Sequence, residues 1–112
     1  MPVSIFNGSL DSTAAPLNNP GTYTGPWVST EGLANASVGW ISAGGATITA
    51  TIEESFDGVT ADRSTSAGAA AANGPATPTV VTLVAPWMRM KLVVSVANAT
   101  TLRAYLRGRG GA

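Results

Sequence analysis

Glu53 and Glu54 are the first side chains in this sequence that could do chemistry. Two carboxylates serve general acid–base catalysis when both face one site. Neighbours on an extended strand face opposite sides, so this pair is expected to be split. Glu54 and Asp57 could instead flank a turn and hold a cation. The sequence has no histidine and no cysteine, which removes the commonest general base, the commonest metal ligand, any thiolate zinc site and any disulfide. Serine is abundant, but a nucleophilic serine needs a base beside it. The one lysine, Lys91, is expected on the outward side of a strand near Arg89. No glycine-rich stretch ends in Gly-Lys-Ser/Thr, so no phosphate loop is present. The expectation is a non-enzymatic chain with no catalytic residue, no cofactor and no metal.

Trp27, Trp40 and Trp87 admit two readings: core packing or sheet-end plugs, or an exposed platform on which a sugar ring stacks, as in a carbohydrate-binding β-sandwich. Arg107-Gly-Arg109-Gly-Gly has the form of a nucleic-acid-binding tail. Two arginines in a neutral chain of pI 6.1 leave too thin a basic footprint for that partner.

Charge is scarce and unevenly placed. Only 11% of residues are charged, against roughly 25% in an average protein. All six acids, Asp11, Glu31, Glu53, Glu54, Asp57 and Asp62, precede the first cation, Arg63; Arg89, Lys91, Arg103, Arg107 and Arg109 follow. The pattern fits cross-strand ion pairs within a sheet, or an acidic patch on one copy meeting a basic patch on another. With 45% hydrophobic residues, the outside must be coated by Thr, Ser, Asn and Gly, or partly covered by a partner. The opening MPVSIFNGSLDS has neither a basic lead nor an apolar run. No stretch reaches the ~18 apolar residues of a membrane-spanning helix. The expectation is a soluble protein made in the cytoplasm.

The elements that would position these residues are strands. Ala46–Glu53 alternates Ile48, Ala50 and Ile52 with threonines, and Ser55-Phe56-Asp57-Gly58 closes it with a turn in which Gly58 takes positive φ. Met88–Val96 places Met88, Met90, Leu92, Val94 and Val96 on one face. Thr101–Arg107 places Leu102, Ala104 and Leu106 inward and Thr101, Arg103, Tyr105 and Arg107 outward. The last two read as a hairpin. Gly44-Gly45 suggests another hairpin, joining Ser37–Ser42 to the Ile48 strand. Shorter strands are expected at Met1–Leu10 and Val80–Val84, and near Tyr23–Val28, where Pro26 confines the segment to an edge. Low-complexity residues 64–79, STSAGAAAANGPATPT, read as a long loop. The resulting fold class is all-β, an antiparallel β-sandwich of jelly-roll type with long loops and short extended termini. It forms one domain: a strand and turn-rich arm over 1–37, a core over 38–107 and a flexible tail over 108–112.

Residues 46–108 resemble a pattern found in small virion proteins of tailed bacteriophages. There, a strand ending in an Glu-Ser-x-Asp-Gly turn is followed by an Arg-x-Lys strand and an Asn turn. Here these are Glu54, Ser55, Asp57 and Gly58, then Arg89, Lys91 and Asn98; Thr60 and Ala61 stand where the pattern often has tryptophan. The resemblance implies a capsid decoration, or cement, protein. Such a protein would sit on the exterior of the virion as a dimer or trimer with copies of itself, and bridge neighbouring major capsid protein subunits. A tail, baseplate or fibre-attached module is the alternative in the same class. Phe6, Tyr23, Trp27 and Trp87 are the expected aromatic anchors of a protein interface, and Arg103, Arg107 and Arg109 the expected partners of acids across it.

Overall fold

Side chains with a period of two force extended backbone with one buried face. The computed structural model describes residues 5–13, 21–43, 47–71, 73–74, 79–96 and 101–110, and over these it contains ten strands and no helix. They are β1 (Ile5–Thr13), β2 (Gly21–Thr24), β3 (Val28–Ser29), β4 (Asn35–Ala43), β5 (Thr47–Ser55), β6 (Arg63–Ala71), β7 (Asn73–Gly74), β8 (Val81–Thr82), β9 (Trp87–Val96) and β10 (Thr101–Arg109). One sheet runs β1-β10-β4, with β7 and β8 both on the far side of β4. The other runs β9-β5-β6, with β2 and β3 both on the outer side of β9. Every described pairing is antiparallel.

Six of the nine connections change sheet, and only β2 to β3, β5 to β6 and β7 to β8 stay within one. This is the double-sheet jelly roll. It corrects both expected hairpins. β4 and β5 lie in different sheets, as do β9 and β10; Gly44, Gly45 and Asn98 themselves lie outside the described residues. Both edges of β9 are taken by β2/β3 and β5, and both edges of β10 by β1 and β4. Local turn signals do not distinguish a hairpin from a short crossing between layers.

The core lies between the inner faces. Ala36, Val38 and Trp40 of β4, Ala104 and Leu106 of β10, and Val81 of β8 meet Ile48, Ala50 and Ile52 of β5 and Met88, Met90, Leu92 and Val94 of β9. Burying each large aliphatic side chain of this kind contributes about 1.5–3 kcal/mol. The alternation expected along β5, β9 and β10 is present where side chains are described, except that Glu53, on the outer face of β5, is buried beside Arg89; Ser95, Val96, Thr101, Leu102 and Arg103 lie outside those residues.

Residues 64–79 are the largest correction. Arg63–Ala71 is a full strand, hydrogen-bonded to β5 from Glu54↔Arg63 to Thr47↔Ala71. Its small side chains carry no apolar alternation, but the backbone ladder with β5 does not require any. Between Ala50↔Gly68 and Thr51↔Ser66 the register passes over Ala67, which is buried. Gly68 takes φ 117° there, a conformation that disfavours any side chain, and the resulting bulge bends this edge strand. Strand β8 is shorter than Val80–Val84, and residues 75–78 lie outside the described residues.

The described residues on either side of the expected core also carry strand. Residues 21–37 are not an arm: they hold β2, β3 and the start of β4. The first strand is described over Ile5–Thr13 and so continues past Leu10; residues 1–4 lie outside the described residues. Gly108 and Arg109 are not a tail but the last residues of β10, paired to Ala36 and Asn35 on one side and Phe6 and Ile5 on the other. A Cβ on Gly108 would lie 2.6 Å from Leu33 Cδ1 and 3.2 Å from Met88 Cε. The glycine is therefore there for close packing.

Candidate functional site

One end of the sandwich carries two surfaces that the fold holds rigid and leaves uncovered. The first is a tip built on the turn after β5. Glu54 continues the inward row of Ile48, Ala50 and Ile52, so its carboxylate enters the end of the core, where it is fully buried. Its Oε1 accepts from the N–H of Val84 at 2.6 Å and of Ala85 at 3.0 Å, and its Oε2 accepts from Arg63 Nε at 3.1 Å. One side chain thus ties the β5 turn, the start of β6 and the segment before β9 together.

Beyond Glu54 the turn is closed by short polar side chains that satisfy backbone groups locally. Ser55 Oγ donates to Asp57 Oδ1 at 2.9 Å and accepts from Gly58 N–H at 2.9 Å. Asp57 Oδ1 accepts from the N–H of Val59 at 2.8 Å and of Thr60 at 2.9 Å. Those donors, Thr60 N–H foremost, then Val59 N–H and the Ser55 hydroxyl, hold the Asp57 carboxyl down from 3.8 to about 2. Asp62 Oδ2 accepts from Phe56 N–H at 3.0 Å, and its own N–H donates to Glu54 O. Gly58 takes φ 77° beneath the Trp87 indole; a Cβ there would meet Trp87 Nε1 and Cε2 at 3.2 Å. On this braced loop Phe56 is 62% exposed and Val59 77%, with Val84 (59%) and Trp87 (37%) beside them.

The second surface is the outer face of the β1-β10-β4 sheet. Along β10, Ala104, Leu106 and Gly108 point inward, and Tyr105, Arg107 and Arg109 are exposed. The register sets Arg109 opposite Asn35, Arg107 opposite Ser37 and Tyr105 opposite Gly39; exposed Ile41 follows on β4. Asn35, Ser37, Val80, Arg107, Arg109 and Gly110 line a cleft of about 410 Å³. Neither arginine pairs with a carboxylate among the described residues.

The expected interface residues whose side chains are described do not form one surface. Tyr23 is half-buried and packs on the core. Trp27 is covered by Arg89, whose guanidinium carbon lies 4.1 Å from the ring centroid while Nε donates to Glu53 Oε1 at 2.7 Å. Trp40 is buried in the core. Phe6 and Arg103 fall on β1 and β10, with side chains outside the described residues. Trp87 joins the tip, and Arg107 and Arg109 the sheet face. Glu53 and Glu54 do face opposite sides, and both are used in cross-strand ion pairs, Glu53 with Arg89 and Glu54 with Arg63. Glu54 and Asp57 do not converge: one is spent on the core end and the other on its own turn. Sequence reasoning did not single out Phe56, Val59, Val80 and Val84. Their one signal was an apolar residue inside or beside a polar turn.

No protein-family model matches the chain, and no curated protein sequence does. Among solved structures, the PBSX exported protein XepA aligns with a TM-score of 0.66 at 20% identity, over 96% of this chain and 37% of its own. The VP2 protein of infectious bursal disease virus in derived T=1 particles aligns with a TM-score of 0.55 at 17% identity, over 96% of this chain and 32% of its own. The structure of the Gx strain of that virus gives 0.54 at 18% identity, over 98% and 33%. The chain spans about a third of the length of these proteins. What it shares with them is the fold, an antiparallel jelly roll also found in viral capsid proteins.

Proposed function

We propose that this chain is a non-enzymatic structural protein of a virus particle, and more particularly a decoration module that binds the outside of a phage capsid and bridges neighbouring major capsid subunits. The observation that carries this reading is the tip. Phe56, Val59, Val84 and Trp87 are exposed together on backbone held by Glu54, Ser55, Asp57 and Asp62. Four large apolar side chains left exposed on one turn and on the segments bonded to it are unfavourable in water, and such a grouping marks a surface that a partner covers. Its rigidity lowers the ordering cost of binding. A fold shared with proteins that build particles supports the virion setting, and the resemblance of residues 46–108 supports the decoration role. A second copy bound at a symmetry axis would multiply weak contacts through avidity.

A second reading, a module attached to a tail, baseplate or fibre, draws on the XepA alignment, where the same fold occupies 37% of a longer phage protein. The sugar-platform reading loses ground because Trp27 already stacks on Arg89 and Trp40 is buried.

The test is co-sedimentation of the purified chain with shells assembled from the major capsid protein encoded in the same gene cluster. Saturable, stoichiometric pelleting is expected, together with its loss in the Phe56→Ser, Val59→Ser double variant, whose melting curve should stay close to that of the parent. A folded parent chain that stays in the supernatant at every shell concentration overturns the proposal.

A further inference from the structure

The cleft between Arg107, Arg109 and the start of β4 is, we infer, a binding site for an acidic, extended segment of a partner protein, with carboxylates at alternate positions. It goes beyond the virion reading and does not need it.

Among the described residues, the fold leaves charge unspent. Of the cations whose side chains are described, Arg63 and Arg89 are taken by Glu54 and Glu53, and Lys91 is half-buried on the other sheet. Arg107 and Arg109 share the outer face of β10, two residues apart, so they stand about 7 Å apart along the strand. Two like charges at that spacing, with no described carboxylate between them, favour an anion that spans both. Strand backbone holds them in place: Arg109 O accepts from Ala34 N–H at 2.8 Å, and Gly108 between them is wedged against Leu33 and Met88. The guanidinium heads are therefore presented from a rigid base, and each offers a planar fork that matches a carboxylate. Asn35 and Ser37 stand directly opposite them in register and add neutral donors, and Val80 gives the cleft an apolar side.

The ligand class follows from spacing and from the surroundings. Alternate side chains of an extended peptide repeat at the same ~7 Å as the two arginines, so Glu-x-Glu can engage both in one register. A cleft of about 410 Å³ accommodates a few residues. A longer polyanion meets opposition. The chain from Ala34 back to the exposed Glu31, and the turn bearing exposed Asp57 and Asp62, lie at the same end of the sandwich, linked through Arg109 O, Leu83 N–H and Glu54. Those carboxylates repel a nucleic acid that runs past the cleft, while a short acidic segment ends inside it.

The experiment is fluorescence anisotropy with the full chain and a labelled peptide, Ser-Glu-Thr-Glu-Thr-Glu-Ser. The same peptide with Gln in place of Glu, and single-stranded oligothymidylate, serve as the other probes. The Glu peptide should bind, and more weakly as salt rises through about 0.15 M. R107Q/R109Q should lower its affinity about tenfold or more, with an unchanged melting curve, and the Gln peptide should not compete. The inference is overturned if the Glu peptide shows no binding up to about 1 mM, if the Gln peptide binds equally, or if the double variant binds as the parent does. Tighter binding of oligothymidylate, lost in R107Q/R109Q, would make the cleft a nucleic-acid site and overturn it as well. Shell co-sedimentation separates this result from the virion reading: if R107Q/R109Q pellets normally with shells, the cleft is not the capsid contact and the virion role stands.

Discussion

Glu54 and Arg109 stand at the same end of the sandwich and use charge in opposite ways. Glu54 is fully buried, and both of its oxygens are committed to the fold, to Val84, Ala85 and Arg63. Arg109 is exposed as the last residue of β10, and among the described residues it commits only its backbone. The difference teaches how a chain with 11% charged residues distributes them: a carboxylate in the interior organises a tip, and a guanidinium on a sheet face stays available. Removing the first should damage the fold with little else to report. Removing the second should leave the fold alone.

The largest expected effect is Glu54→Ala. It leaves the N–H of Ala85 without its acceptor in a buried place and that of Val84 in a part-buried one, and a buried orphaned donor costs about 1–3 kcal/mol. A loss of about 3 kcal/mol is expected in urea denaturation, a large share of the ~5–15 kcal/mol a domain has. Glu54→Gln sharpens the point. Its amide oxygen can keep both backbone bonds and gives up only the pairing with Arg63, whose side chain is 46% exposed. Because solvent screens that pair, the loss should be about 1 kcal/mol or less. Equal losses in the two variants would mean that the ion pair, and not the backbone tether, is what Glu54 supplies.

Next in size is Gly58→Ala. The position has φ 77°, and the added Cβ would sit 3.2 Å from Trp87. The left-handed backbone alone costs about 1–2 kcal/mol, so a melting-temperature drop of several degrees is expected for a chain of this size, roughly 4–8 °C per kcal/mol. Trp87 fluorescence should shift with it, since the indole must give way. An unshifted spectrum would place the strain in the backbone alone.

Acid should act on the same tip through Asp57. Its carboxyl is held at about 2 by Thr60 N–H, Val59 N–H and the Ser55 hydroxyl, against 3.8 unperturbed. A depressed folded value means that its stabilisation is present above the unfolded value and is lost as pH falls through the folded one. The turn should therefore loosen between about pH 4 and pH 2. Asp57→Asn should remove this part of the acid dependence, measured as the melting temperature against pH. A parent and variant whose curves stay parallel through that window would show that Asp57 does not report on the tip.

The two regions also differ in how far the sequence announced them. The exposure of Arg107 and Tyr105 followed from simple alternation on β10, because Ala104 and Leu106 between them could only face inward. The inward rows of β5 and β9 were readable for the same reason, and with them the sandwich class. Strand β6 was not: Ser, Thr, Ala and Gly show no contrast of polarity, and its strand character comes from the ladder that β5 offers. Nor was the tip readable. Phe56 and Val59 reach the tip that carries Trp87 through the Ser55↔Trp87 pairing of β5 and β9, and the tip that carries Val84 through the Glu54 bond across thirty residues of sequence. No local pattern encodes that bond. The hairpins were misread because the choice between sheet neighbour and opposite layer is made by the whole strand order.

The smallest expected effect is the one that gives the comparison its meaning. Arg107→Gln and Arg109→Gln remove exposed charges that make no described ion pair, from a strand whose packing is carried by Ala104, Leu106 and Gly108. Substitutions of that kind usually move stability by no more than about 0.5 kcal/mol. Relief of the repulsion between the two guanidinium groups could even turn the sign favourable. Chemical denaturation of the single and double variants measures this directly. A gain in the double variant that exceeds the sum of the singles is not expected, since either single already relieves the mutual repulsion. A loss of more than about 1 kcal/mol would mean that the arginines are fold-bearing, like Glu54. In that case the face of β10 would be structural in the same sense as the tip's interior, and the contrast between spent and available charge would fail.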